Sequence, residues 1–417
     1  TDITYWNTKT GHFDGIYTYT FTDTDTYLKS IWEYGYKTAD NAARVIQASQ
    51  ALYNNASDDE KTELNMYMAE AYALRGYAQL LLTNIYGHQI KVNGQDFSSE
   101  LGIVIIDQPK EALTKISRST VGESYEAIIN DLKNALSHFE AAGKDRGELQ
   151  YLGKAATNGL LARTYLYLEN WDEARNYAEQ ALKIAGITTL TNDANAYKAL
   201  YNSEISNSES MFALAITNTT NWSANSYGTL WSTYNFSPSP KLISMYATND
   251  CRKILIDGRD KTSTESEPVY TGGKIAHFSS GNPARGTNYI VNAPEMYLIK
   301  AEANVQLNKL NEAKEALLVV AKRNLDIKST NDLPSKKENL MSFIKDERAR
   351  ELFQEGMRLY DLRRWNERVS VYANSAPAIK FTYTNYEISN LVFPIPSAEI
   401  NAGFGVTQNN WTNTLPK

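Results

Sequence analysis

Two stretches of this chain put alanine where two helices must touch. In residues 154–185, Ala155, Gly159 and Ala162 fall on one helical face, and Ala174, Ala178, Ala181 and Ala185 follow at spacings of four, three and four. In residues 293–320, Ala301 stands twelve positions before Ala313, as Ala162 stands before Ala174. A methyl group at the crossing lets two helix backbones approach closely. Leu168-Glu169-Asn170-Trp171 and Leu307-Asn308-Lys309-Leu310 are the matching turns. The pattern predicts tetratricopeptide-like helical hairpins. The repeats are degenerate and far apart, so no uniform solenoid is expected.

Further helices follow from periodicity and caps. A helical pattern runs from about Tyr27 to Tyr53. A second begins after Ser57 and ends at Gly87, with Ala71, Leu74, Ala78, Leu81 and Ile85 expected on one buried face. Thr120 and Glu123 have the spacing of a capping box. Residues 339–365 read as one helix. The expected scaffold is therefore 27–86, 120–185, 292–323 and 339–365, within a single composite spanning 1–417. Residues 1–26, 87–119 and 186–291 read as a loop-rich ligand side, and 366–417 as an irregular tail. The fold class is mainly α, with few short strands.

Composition narrows the function. Of the 417 residues, 42% are hydrophobic and 22% charged, which fits a folded protein and excludes disorder. The formal net charge of −6 gives no general pull toward nucleic acid, whose binding needs a basic face. One cysteine, Cys251, excludes an intrachain disulfide and cysteine-rich metal sites. No apolar run approaches the roughly 20 residues of a spanning helix.

Catalytic patterns are missing. His12, His88, His138 and His277 are scattered, and neither a nucleophile elbow nor a phosphate loop occurs. Neither a metal nor any other cofactor is expected, and no catalytic residue is assigned. Glu347, Glu351 and Glu355 share a four-residue spacing, as paired glycosidase carboxylates could. Arg348, Arg350, Arg358, Arg363 and Arg364 surround them and favour an ion-pair network, because nearby cations keep carboxylates ionised.

Tyrosine is abundant, at 28 residues, beside seven tryptophans. Residues 217–240 form a polar, aromatic stretch in which Trp222, Tyr227, Trp231 and Tyr234 stand among Asn221, Asn225, Ser232 and Asn235. Flat rings stack on sugar faces while amides and hydroxyls satisfy the rim. The ligand-binding candidates are Trp222, Tyr227, Trp231, Tyr234 and Asn225, with Trp6 and Asn7 near the amino end. Trp32, Trp171 and Trp365 are expected to pack.

Seven segments in order carry a family resemblance. They are 69–87 (AEAYALRGYAQLLLTNIYG), 119–136, 153–182, 237–252 (ending Asp250-Cys251-Arg252), 293–303, 346–365 (DERARELFQEGMRLYDLRRW) and 393–411 (FPIPSAEINAGFGVTQNNW). Together they resemble the SusD/RagB family of outer-membrane nutrient-binding lipoproteins from Bacteroidetes. Pro294, and Ala402 where the family usually has proline, depart from its pattern. The resemblance implies a SusD-like α/α fold on four helix pairs, cell-surface capture of an oligosaccharide, and a SusC-like TonB-dependent transporter as partner. Relatives that bind peptides keep a peptide ligand open, and the hairpins alone would also suit a protein-interaction scaffold. Family members are lipid-anchored through a cysteine after the signal peptide. Cys251 is internal, so the expected anchor lies upstream of residue 1 and is the only membrane attachment implied. The family supplies no shared site residues to carry over.

Overall fold

The computed structural model describes residues 1–6, 13–203, 205–217, 219–223, 226–232, 236–256, 273–275, 282–373 and 380–416. Its long helices are α1 (Thr26–Tyr53), α2 (Asp58–Tyr86), α3 (Val121–Ala142), α4 (Lys154–Tyr167) and α5 (Trp171–Ala185), then α6 (Ala293–Gln306), α7 (Leu310–Ala321), α8 (Lys337–Glu351) and α9 (Arg358–Arg364). Strands are short and paired in twos: β1 (Thr4–Trp6) with β3 (Phe236–Pro238), β2 (Ser210–Leu214) with β4 (Asn288–Asn292), and β5 (Arg368–Ala373) with β6 (Lys380–Glu387), each antiparallel.

Local chemistry sets the helix ends. The Asp25 carboxylate accepts the Tyr27 and Leu28 N–H groups at the start of α1. Ser57 with Glu60, and Thr120 with Glu123, form complete capping boxes on α2 and α3. Each satisfies backbone donors that a helix start leaves open. Gly143 and Gly186 end α3 and α5 in the left-handed conformation. Gly87 stops α2 differently, with extended backbone; a Cβ there would meet the Thr83 carbonyl oxygen at 2.7 Å.

The helices pair as α1–α2, α2–α3, α4–α5 and α6–α7, and α6 also packs on α5 and α8. Ala162, Ala174, Ala178, Ala181, Ala301 and Ala313 are all fully buried in one core with Leu160, Leu161 and Leu298. The alanine-lined hairpins thus stand as the spacing predicts.

Two expectations need correction. Leu74 is exposed, while Ala69, Ala73, Leu80 and Leu82 on other sides of α2 are buried. Helix α2 lies between α1 and α3, so it has no single apolar face. The helix expected over 339–365 is two helices, α8 and α9. Gln354 (φ 67°) and Gly356 (φ 78°) take left-handed backbone between them and turn the chain. Glu355 therefore lies past the end of the helix that carries Glu347 and Glu351.

Candidate functional site

The loop after β2 is stitched by its own side chains. The Thr217 hydroxyl accepts the N–H groups of Thr219 and Thr220 at 3.2 and 3.3 Å. The Asn221 amide donates to the Thr217 carbonyl at 2.9 Å, and its oxygen accepts the Ser223 N–H at 3.0 Å. The Trp222 N–H donates to the Ser226 hydroxyl at 3.0 Å. Such local bonds replace strand and helix ladders. They fix Trp222 at the crest, 57% exposed, with its ring edge-on to Tyr34 of α1 at 5.5 Å and 84°. Tyr34 is itself 47% exposed. An exposed ring pair of this size offers flat apolar area at little conformational cost.

Nine residues on, the chain turns inward. Trp231 is only 4% exposed and forms a small core with Ile3, Leu242, Tyr246 and Phe353. Its ring meets Phe353 at 5.1 Å and Tyr227 at 6.3 Å, both edge-on. Burial pushes the Tyr227 hydroxyl up to about 12. Of these two candidates for ligand contact, Trp231 lies inside this core and Tyr227 is half-buried against it. Asn7, Asn225 and Tyr234 lie outside the described residues, as does the Trp6 side chain. The Trp6 backbone is placed, opposite Phe236 in the β1–β3 pair. That pairing joins the two segments read separately as ligand-side.

A groove of about 470 Å³ opens between α1, residues 104–116 and residues 396–404. Trp32, Tyr36, Val104, Ile116 and Phe404 line it. Trp32 packs as expected, 6% exposed, and its indole N–H donates to Glu399 Oε2 at 3.2 Å. Trp171 and Trp365 are half-buried; Trp365 donates to Glu302 Oε1 at 2.9 Å.

The carboxylates of α8 are not poised for chemistry. Glu347 and Glu351 are buried and share the Arg252 guanidinium at 2.7 and 2.9 Å, while Asp250 holds the same guanidinium at 2.7 Å. Arg323 bridges Glu351 to Glu209. Burial opposes ionisation of Glu347, yet Arg252 and Arg350 outweigh it and lower its pKa to about 2. Burial raises the pKa of Glu355 against the pull of Lys274 and Asn292, which bond it at 2.7 and 2.8 Å. The network was expected, but its cations were misassigned. Arg350 alone of the five neighbouring arginines bonds one of these three carboxylates. Arg348 serves Asp361, Arg358 serves Asp2, Arg364 serves Glu302 and Asp361, and Arg363 donates to the Asn84 and Gly87 carbonyls. The main cations arrive from Arg252 and Arg323, remote in sequence.

Among the described residues no group of three His, Cys, Asp or Glu side chains could hold a metal ion. His138 stacks on Tyr72 and His88 on Phe97. His12 and His277 lie outside the described residues. Burial pushes the Cys251 thiol up to about 12, which makes it a poor nucleophile. No described helix is long and apolar enough to cross a membrane. Sequence reasoning missed Tyr34; the available signal was an aromatic ring beside Ile31 and Thr38 on the polar face of an otherwise regular helix.

Comparison with known proteins agrees with this architecture. A model described as the SusD family matches residues 279–411, and one described as starch-binding, associating with outer membrane, matches residues 3–166. The chain belongs to the SusD family. Members of this family are binding proteins rather than enzymes. No curated protein matches the chain. Among solved structures, a putative sugar binding protein from Bacteroides vulgatus superposes with TM-score 0.83 at 24% identity, covering 98% of this chain and 91% of its own. A SusD superfamily protein from Bacteroides thetaiotaomicron gives TM-score 0.80 at 22% identity, covering 98% and 92%. At these identities the likeness establishes the fold: mainly helical, with few short strands.

Proposed function

We propose that the protein captures a carbohydrate, most simply an oligosaccharide, at the outer-membrane surface and delivers it to a TonB-dependent transporter, making and breaking no bond. The carrying observation is the exposed Trp222–Tyr34 pair, held on a self-stitched loop and a rigid helix. Membership of a family described as starch-binding and outer-membrane-associated supports the ligand class and the location. In this reading a lipid anchor upstream of residue 1 holds the protein at the membrane, and the whole chain acts as one composite. Trp222 and Tyr34 stack on the sugar. Trp6, Asn7, Asn225 and Tyr234 are proposed as further ligand contacts from the sequence pattern alone. Trp231 and Tyr227 support the loop. Non-catalysis is favoured by arginine-clamped carboxylates that stay ionised and cannot donate a proton.

The test is calorimetry with a panel of neutral oligosaccharides and short peptides. Trp222→Ala and Tyr34→Ala each weaken saccharide binding by about 1–3 kcal/mol, as truncation of a hot-spot ring does. Unchanged affinity in both variants removes this site. Binding of peptides alone removes the ligand class, and release of shortened sugars removes the passive role.

A further inference from the structure

Three separate segments, none of them carrying Trp222 or Tyr34, build a second cleft. Residues 145–156, the end of α5 with Ala185 and Ile187, and residues 205–211 enclose about 630 Å³, within the size range of small-molecule sites. Exposed apolar side chains are normally scattered singly. Here Tyr151 (39% exposed), Ile184 (45%) and Ile205 (58%), one from each segment, line the same space.

The Tyr151 ring is braced. The Arg146 guanidinium lies over it at 4.6 Å and is held in turn by both carboxylate oxygens of Glu70, at 2.6 and 3.3 Å. The walls are tied to the scaffold too. The Ala213 N–H of β2 donates to the Leu149 carbonyl at 2.9 Å, and the Tyr297 hydroxyl of α6 donates to the Ile187 carbonyl at 3.0 Å. A site formed in advance spares a ligand the cost of ordering it.

The remaining lining is polar. Ser206, Asn207, Ser208, Ser210 and Gln150 supply hydroxyls and amides, and Asp145 and Glu148 supply acceptors. No lysine or arginine is among the lining residues. An anionic guest would meet two carboxylates, and the nearest cation, Arg146, is already paired with Glu70. A ring with two apolar neighbours and a rim of hydroxyls, amides and carboxylate acceptors suits an uncharged polyhydroxylated guest.

We propose that this cleft is a second, independent binding site for a short neutral saccharide, with Tyr151 as its stacking ring. The inference rests on the reading of the protein as a saccharide binder, and the experiment separates the two. Isoleucine δ-methyl NMR of the full chain reads Ile184, Ile187 and Ile205 in the cleft, and Ile31, one turn from Tyr34, at the crest. The probes are maltoheptaose, cellohexaose, xylohexaose and mannohexaose, with trigalacturonate as the anionic control and a tetra-alanine peptide as the non-sugar control. We expect the three cleft methyls to shift together and saturate with at least one neutral sugar and with neither control. Tyr151→Ala weakens that response tenfold or more, Tyr151→Phe restores it, and Trp222→Ala leaves it intact. Shifts at Ile31 with none in the cleft overturn the second site and spare the crest. Cleft shifts indifferent to Tyr151→Ala, or given only by a control, also overturn it. Silence at all four methyls with every sugar overturns both readings.

Discussion

The helical hairpins and the aromatic layer are held by opposite means. At the hairpins, α4 to α7 meet through buried alanine and leucine, and their buried charges are few and paired, such as Arg163 with Glu295 at 2.6 Å. The layer built by β2, β4, residues 219–223 and 226–232 of the aromatic loop, and residues 236–256 is fixed to α8 through a buried lattice of Asp250, Arg252, Arg323, Glu209, Glu347 and Glu351. Apolar packing is tolerant and non-directional, whereas buried charges demand particular partners. The scaffold is therefore fixed by the pattern of residue sizes, and the layer's seat by the identity of individual residues.

Breaking the lattice is expected to cost most. Arg252→Ala leaves three buried carboxylates short of a cation and destabilises by about 3–5 kcal/mol, read by urea unfolding. Equal stability would show the lattice to be dispensable. Trp231→Ala, within the layer's own core, costs about 3–5 kcal/mol in the same assay. On the scaffold, Ala178→Leu forces a larger side chain between α5 and its neighbours and costs about 1–3 kcal/mol; a smaller loss would mean the hairpin gives way more easily than its burial suggests. Trp222→Ala is the smallest, within about 0.5 kcal/mol, because an exposed side chain carries little folding energy. That variant separates binding from stability, and Trp231→Ala cannot.

The two regions should also part company in acid. Glu347 has a folded pKa of about 2 against an ordinary value of 4.5. Its contribution is complete above pH 4.5 and is lost as pH falls from there through 2, because the unfolded chain binds the proton first. Unfolding midpoints measured between pH 7 and 2.5 should fall in the lower part of that range. With Glu347→Gln the acid-dependent part of that fall shrinks. An unchanged slope would assign the acid sensitivity elsewhere.

Legibility in the sequence follows the same division. Ala162, Ala174, Ala301 and Ala313 announced the hairpins because helical contact repeats every three or four residues. The Ser57–Glu60 and Thr120–Glu123 boxes announced helix starts because capping is local. The break between α8 and α9 was hidden because Gln354 shows no sign of its left-handed backbone. Arg252 and Arg323 were not assigned to Glu351 because the pairs join residues 99 and 28 positions apart. The aromatic loop was recognised as a unit. Which of its rings face outward was decided by hydroxyl bonds around Thr217 and Ser226, and composition does not encode that. Tyr34 joined Trp222 only through the fold.

The buried lattice has a consequence for behaviour on heating. Stripping water from ions becomes less costly as temperature rises, while the benefit of apolar burial levels off. The joint between the aromatic layer and α8 therefore gains relative strength when the alanine-packed rods are losing theirs, so warmth should fray the hairpin tips before it lifts the layer from its seat.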